Sequence, residues 1–192
     1  MDYVKEFEDI FAEIKRDGAD ELLKWLRGTD FFTAPASTKF HGNFKGGLVE
    51  HCVLVYKRFC KLVELEYGVD YVKTNSESLA IIALLHDVCK VDCYKIELRN
   101  VKTNGVWEQK PYYAVEDCLP YGHGEKSVYM ITGFMKLTRE EAMAINWHMG
   151  AFDARVRDST TLLNRAYDMF PLALLFHLAD MGASYLDERK EK

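Results

Sequence analysis

No cysteine pair in this chain has Cys-x-x-Cys spacing, and the five cysteines (Cys52, Cys60, Cys89, Cys93, Cys118) are an odd number. That argues against a disulfide framework and reads as reduced thiols in a cytoplasmic protein. Basic charge is not in excess either. The 25 Lys+Arg against 30 Asp+Glu leave a formal charge of −5, which argues against extended nucleic-acid binding while leaving room for a local basic cleft. Bound divalent cations would offset part of that charge where an anionic substrate sits. No apolar run approaches the length of a membrane span. The start, Met1-Asp-Tyr-Val-Lys-Glu-Phe-Glu8, is acidic and amphipathic and is not a signal peptide. There is no repeat or low-complexity segment. The expectation is a soluble, cytoplasmic protein with no membrane partner. Its 192 residues, 48% hydrophobic and 29% charged, suffice for one domain, 1–192, with a substantial core.

Helical periodicity dominates what is present. Tyr3, Phe7, Ile10, Phe11 and Ile14 share one helix face that Gly18 ends. A short helix is expected over Asp20–Arg27, a structured loop over Gly28–Gly47, and helix again from Leu48 to about Tyr67. Thr74-Asn-Ser-Glu77 and Thr138-Arg-Glu-Glu141 both have capping-box spacing and predict helix starts. Between those helices the period changes to two. Tyr94, Ile96 and Leu98 alternate with Lys95, Glu97 and Arg99, and Asn104-Gly105 separates them from Val106–Tyr113. That pattern predicts a β-hairpin over about 93–115, with Pro111 placing the second strand at an edge or ending it. Helix is expected from about Glu125 to Met135 and from Pro171 to Leu186. The charged tail Asp187–Lys192 reads as frayed. The fold class is therefore all-α, a helical bundle with an inserted β-hairpin.

One stretch is out of keeping with its surroundings. Ser78-Leu-Ala-Ile-Ile-Ala-Leu-Leu-His-Asp-Val-Cys-Lys90 is an apolar helix with an imidazole and a carboxylate at its end. Burying both is expensive without compensation, and both are ligands for a divalent transition metal. His51, His123, His148 and Asp180 each fall on or at the edge of another expected helix. A hydrolytic metal site needs such N/O ligands converging from separate elements, with positions left open for water and substrate.

On these residues the chain resembles the HD-domain metal-dependent phosphohydrolase superfamily. Gly46-Gly-Leu-Val-Glu-His51, Leu84-Leu-His-Asp-Val-Cys-Lys90 and Leu178-Ala-Asp180 are similar to its successive motifs. The resemblance implies a metal set of His51, His86, Asp87 and Asp180. His123 and His148 match the two additional histidines of binuclear members. One departure is Cys89, where the family often has Gly before the lysine. The resemblance implies one or two divalent transition-metal ions (Mn, Fe, Co, Ni or Zn), with Asp87 as the pivotal, bridging ligand.

Around that set, Lys90 is a candidate phosphate contact or a helix-end cation complementing the dipole. His41 is a candidate substrate-binding residue or a polar loop residue. Arg155, with Arg157, is a candidate phosphate contact or part of a solvated loop. His177 reads as a supporting or core histidine rather than a ligand. Cys89 and Cys93, spaced i, i+4, lack the two further soft ligands a thiolate zinc site needs. Trp107, Tyr112 and Tyr113 are able to stack on a base, or to pack core or a subunit contact. The expected activity is metal-dependent hydrolysis of a phosphoester or phosphoanhydride in a nucleotide or related small phosphorylated compound, in a protein able to form a homo-oligomer. The alternatives are a phosphodiesterase or nuclease acting on cyclic dinucleotides or short RNA or DNA, and a non-catalytic nucleotide-sensing domain. The glycine-tyrosine-proline signature of the cyclic-dinucleotide branch is not seen, which counts against that option.

Overall fold

A computed structural model of the protein describes residues 1–157 and 159–188. Its elements are α1 (Tyr3–Phe11), α2 (Ala19–Arg27), α3 (Gly47–Tyr67), α4 (Val69–Thr74), α5 (Ser76–Leu85), β1 (Tyr94–Thr103), β2 (Val106–Val115), α6 (His123–Thr132), α7 (Arg139–Asn146), α8 (Thr161–Met169) and α9 (Pro171–Gly182). The protein is mostly helical, with one two-stranded antiparallel sheet. Among the described residues no single helix is long and apolar enough to cross a membrane.

The centre is α5. Leu79 to Leu85 are all buried, and a helix apolar on every side needs neighbours all round. Helix α3 supplies one wall and packs on both α5 and α9, while α7 packs on α5, α6 and α9. Phe7 and Phe11 of α1 and Leu22 and Leu26 of α2 extend the same core. Truncating a fully buried side chain such as Leu84 to Ala would cost about 2–5 kcal/mol.

The two look-alike capping boxes behave differently. Thr138 accepts from Glu141 N and Glu141 from Thr138 N, so the second box forms. The first does not. Thr74 closes α4, a short helix that periodicity missed, and its hydroxyl donates to Asp70 O. Glu77 instead accepts from the Lys15 amide and the Arg16 guanidinium, because a charge-assisted partner outcompetes a cap amide. Helix α8 was likewise not foreseen. The last helix ends at Gly182 and continues as one π turn, Ala183–Asp187.

Asn104 (φ 51°) and Gly105 (φ 85°) make the left-handed turn their sequence requires, pairing Thr103 with Val106. Pro111 opposes Leu98, and β2 continues past it to Val115. In a two-stranded sheet each strand has an open edge, so the missing amide leaves no gap in the ladder.

Candidate metal centre

Five elements deliver the polar residues of one buried site. His51 is in the first turns of α3, where Gly46 (φ 83°) starts the helix. The 28–46 loop crosses over it closely. A Cβ on Gly47 would meet Gly42 O, and Gly42 itself has φ +55°. That crossing brings the His41 ring to 4.8 Å from the His51 ring, tilted by 36°. His86 caps the C-terminus of α5 and Asp87 follows outside helical geometry, before a 3-10 turn at Val88–Lys90. His123 is the first residue of α6. His148 lies in the turn just after α7 rather than inside it. Gly124 lets α6 approach the end of α7, since a Cβ there would lie 2.3 Å from Asn146 O. The His123 and His148 rings are thereby 5.1 Å apart. Asp180 comes from the third turn of α9.

Asp87 is at the middle. Its Oδ1 lies 2.8 Å from His123 Nε2 and 3.6 Å from His148 Nε2. Its Oδ2 lies 2.6 Å from Lys90 Nζ, 3.4 Å from His86 Nε2 and 3.6 Å from His51 Nε2. Asp180 Oδ1 is 3.3 Å from His51 Nε2. The ligand atoms fall into overlapping groups: His51, His86 and Asp87; His86, His148 and Asp180; Asp87, His123 and His148. These clusters can hold metal ions.

The histidine tautomers are assigned by what holds the other ring nitrogen. His86 Nδ1 donates to Ala83 O at 2.9 Å, His148 Nδ1 to Ile145 O at 2.7 Å, and His51 Nδ1 to Glu188 Oε1 at 2.6 Å. Each Nε2 is thereby left facing the carboxylates, which is the arrangement by which proteins orient metal-binding imidazoles. His148 Nε2 is buried without any hydrogen-bond partner among the described residues. A buried polar atom left open is costly unless something fills the position. By donor chemistry and by this open nitrogen, the residues fit a divalent transition metal.

Electrostatics say the same. Burial opposes the charge of Asp87, yet Lys90 first and then the surrounding imidazoles hold its carboxyl well below the usual range. Burial also opposes charge on His51, but hydrogen bonds to Asp180 and Glu188 push its pKa up to about 10. Asp180 is held low against its burial, chiefly by His51. Burial lowers His86 and His123. The site thus concentrates carboxylate charge, countered among the described residues chiefly by Lys90 at Asp87 and by His51 at Asp180.

Glu188 was missed by sequence reasoning, because it lies in the charged tail. Asp187 makes a two-point ion pair with Arg58, at 2.7 and 2.6 Å, which pins the π turn and delivers Glu188 to His51. The frayed-tail expectation is therefore wrong at 187 and 188, and Arg189–Lys192 lie outside the described residues. Glu188 carries no pattern at ligand spacing; only the acidic type of the residue was a signal.

The flanking candidates divide. Lys90 lies on Asp87, and among the described residues His41 Nε2 is buried without a hydrogen-bond partner, beside His51 and Glu188. Arg155 is different. Its guanidinium donates to Asp153, Glu125 and Asn146 from all three nitrogens and stacks 4.2 Å from the Trp147 ring. It braces the His148 turn and has no donor left over for a phosphate. His177 Nδ1 donates to His148 O, and its ring lies where a Gly150 Cβ would be. Burial, then Asp87, pushes the Cys89 thiol up to about 12, so it is not a thiolate, and no described ligand cluster contains cysteine.

The fold and site together define a helical protein with a carboxylate-centred, imidazole-rich cluster suited to metal ions. The dihydroneopterin 2′,3′-cyclic phosphate phosphodiesterase of Methanocaldococcus jannaschii is 39% identical to this chain over 57 residues, covering 30% of the chain and 23% of that protein. The chain thus spans less than a quarter of the curated relative it matches. No family model and no solved structure matches it.

Proposed function

We propose that the chain is an HD-type metal-dependent phosphohydrolase, one domain that hydrolyses a phosphoester or phosphoanhydride of a nucleotide or related small phosphorylated compound. The carrying observation is the placement of Asp87, one oxygen facing His51 and His86, the other His123 and His148. Two subsites sharing Asp87 are the pattern of a binuclear centre. His51, His86, Asp87 and Asp180 would hold one ion, and Asp87, His123 and His148 the other. Bound divalent ions supply a water acidic enough to be hydroxide near neutral pH and neutralise charge on a phosphoryl oxygen.

The chain's own residues do the rest. Ala83 O, Ile145 O and Glu188 hold three imidazoles with Nε2 inward, so little reorganisation remains at the moment of reaction. Lys90, whose ammonium donates to Asp87 at 2.6 Å, would turn that ammonium to a substrate phosphate. His41, beside His51, would supply a ring nitrogen that has no hydrogen-bond partner among the described residues.

A second reading, a phosphodiesterase opening a cyclic phosphate, is favoured by the name of the relative. Both are tested by quantifying bound metal and screening nucleotides, 2′,3′-cyclic phosphates, cyclic dinucleotides and short RNA with and without Mn²⁺, alongside Asp87→Ala. Activity dependent on metal and on Asp87 is expected. Stoichiometric metal without any Asp87-dependent turnover would favour a sensing domain instead.

A further inference from the structure

The hairpin has two chemically opposite faces. The register pairs Tyr94 with Val115, Ile96 with Tyr113, Leu98 with Pro111, Asn100 with Gln109 and Lys102 with Trp107, and alternation puts all ten on one face. Ile96 is 69% exposed, Leu98 62%, Trp107 67% and Val115 62%. The reverse face carries the charges, and they neutralise one another there. Lys95 pairs with Glu97 and Glu116, Tyr112 donates to Glu97, Arg99 lies over the Tyr112 ring, and Lys110 pairs with Glu108.

A lone two-stranded hairpin is at best marginally stable in water, and exposed apolar side chains beside open strand edges invite a partner. Large exposed apolar side chains gathered on one face of such an element, with one polar pair, Asn100–Gln109, between them, mark an interaction site. Its partner must be largely uncharged, because the face offers one cation, Lys102, and that is at the tip over Trp107. Nucleic acid and acidic lipid headgroups would meet no basic stripe. The same face on another copy meets that requirement, with Asn100 and Gln109 able to pair with their own counterparts, and a two-fold axis lets identical patches close on each other without leaving one free. The four most exposed side chains present on the order of 500 Å² per chain, so two copies bury about 1,000 Å², the lower end of a specific interface.

We propose that the protein forms a two-fold homodimer through the apolar face of the β1–β2 hairpin. The interface is small, so the dimer dissociates on dilution into the micromolar range rather than being permanent. This inference stands apart from the proposed chemistry, because no metal-site residue takes part in it.

Sedimentation across a dilution series of the full chain tests it. A mass of two chains that falls to one on dilution is expected. Leu98→Lys with Trp107→Ser should give one chain throughout with an unchanged helical circular dichroism spectrum, while Arg99→Ser on the reverse face should leave the dimer intact. Amide hydrogen exchange at Ile96–Leu98 in the unaltered protein gives a readout free of any variant, and it should slow as concentration rises. A wild-type chain that is monomeric at every concentration overturns the proposal, whether or not it binds neutral lipid vesicles. So does a dimer that survives the double substitution, or exchange that slows elsewhere but not in the hairpin.

Discussion

Glu188→Ala removes a carboxylate that touches no expected substrate, yet metal binding should weaken. The carboxylate accepts from His51 Nδ1 at 2.6 Å in a site where both side chains are nearly inaccessible, 1% and 3% exposed. It fixes the tautomer and makes Nε2 a better donor to an ion. Losing such a partner weakens metal affinity about 10–100-fold, or roughly 1.4–2.8 kcal/mol. The pH dependence carries the sharper signature. Hydrogen bonds to Asp180 and Glu188 raise His51 to about 10 against its burial, so an ion must displace a proton from Nε2. A divalent ion gains about twice what a proton gains from the same carboxylate, so proton competition masks about half the effect near neutral pH. The loss should therefore grow between about pH 7 and pH 9. Titration with Co²⁺, followed by its visible absorption, measures this at each pH. Glu188→Gln keeps an acceptor and should fall between the two. An unchanged dissociation constant, or a loss that is flat with pH, would refute the reasoning and leave Glu188 as packing alone.

Other outcomes follow from the same geometry. Without metal, the His51 imidazolium stabilises the fold fully below its unfolded value of 6.5, and that contribution is lost as pH rises through about 10; thermal unfolding of chelated protein should show a declining Tm over that window, and a flat profile would contradict it. Gly150→Ala puts a Cβ 2.4 Å from the His177 ring at φ +53° and should cost about 1–3 kcal/mol by urea unfolding. Arg16→Ala strips the buried Glu141 of its two-point partner at 2.6 and 3.0 Å and should cost about 3 kcal/mol, the low end for a buried pair because Arg16 is part-exposed. Burial opposes charge on Glu141, but Arg16 holds it below its ordinary 4.5, so its contribution is present above that value and fades as pH falls. The stability gap between wild type and variant should therefore be full near neutral and narrow as pH falls below about 4.5.

The hairpin was legible because Asn104-Gly105 dictates its own backbone angles, a local rule that no tertiary contact overrides. The ligand types were legible because six histidine and aspartate side chains in and beside apolar helices demand a reason. Patterns whose partners lie far along the chain were not. Thr74–Glu77 and Thr138–Glu141 have the same spacing, but only the second forms a box, because Arg16 and the Lys15 amide, distant in sequence, claim Glu77. Arg155 had the composition of a phosphate contact until Asp153, Glu125 and Asn146 took its donors. Glu188 was hidden for the converse reason. In the sequence it is one charge in a charged tail, and only the Arg58–Asp187 pair turns it inward.

The central claim is that Asp87 joins two metal subsites, and metal stoichiometry tests it most directly. Metal analysis of the protein loaded with Mn²⁺ or Co²⁺ and freed of loose ions should find close to two ions per chain. Asp87→Ala should lose both ions together, with turnover of phosphorylated substrates lost alongside. A chain that retains no ion under any loading condition, or an Asp87→Ala variant that keeps its full complement, would contradict it.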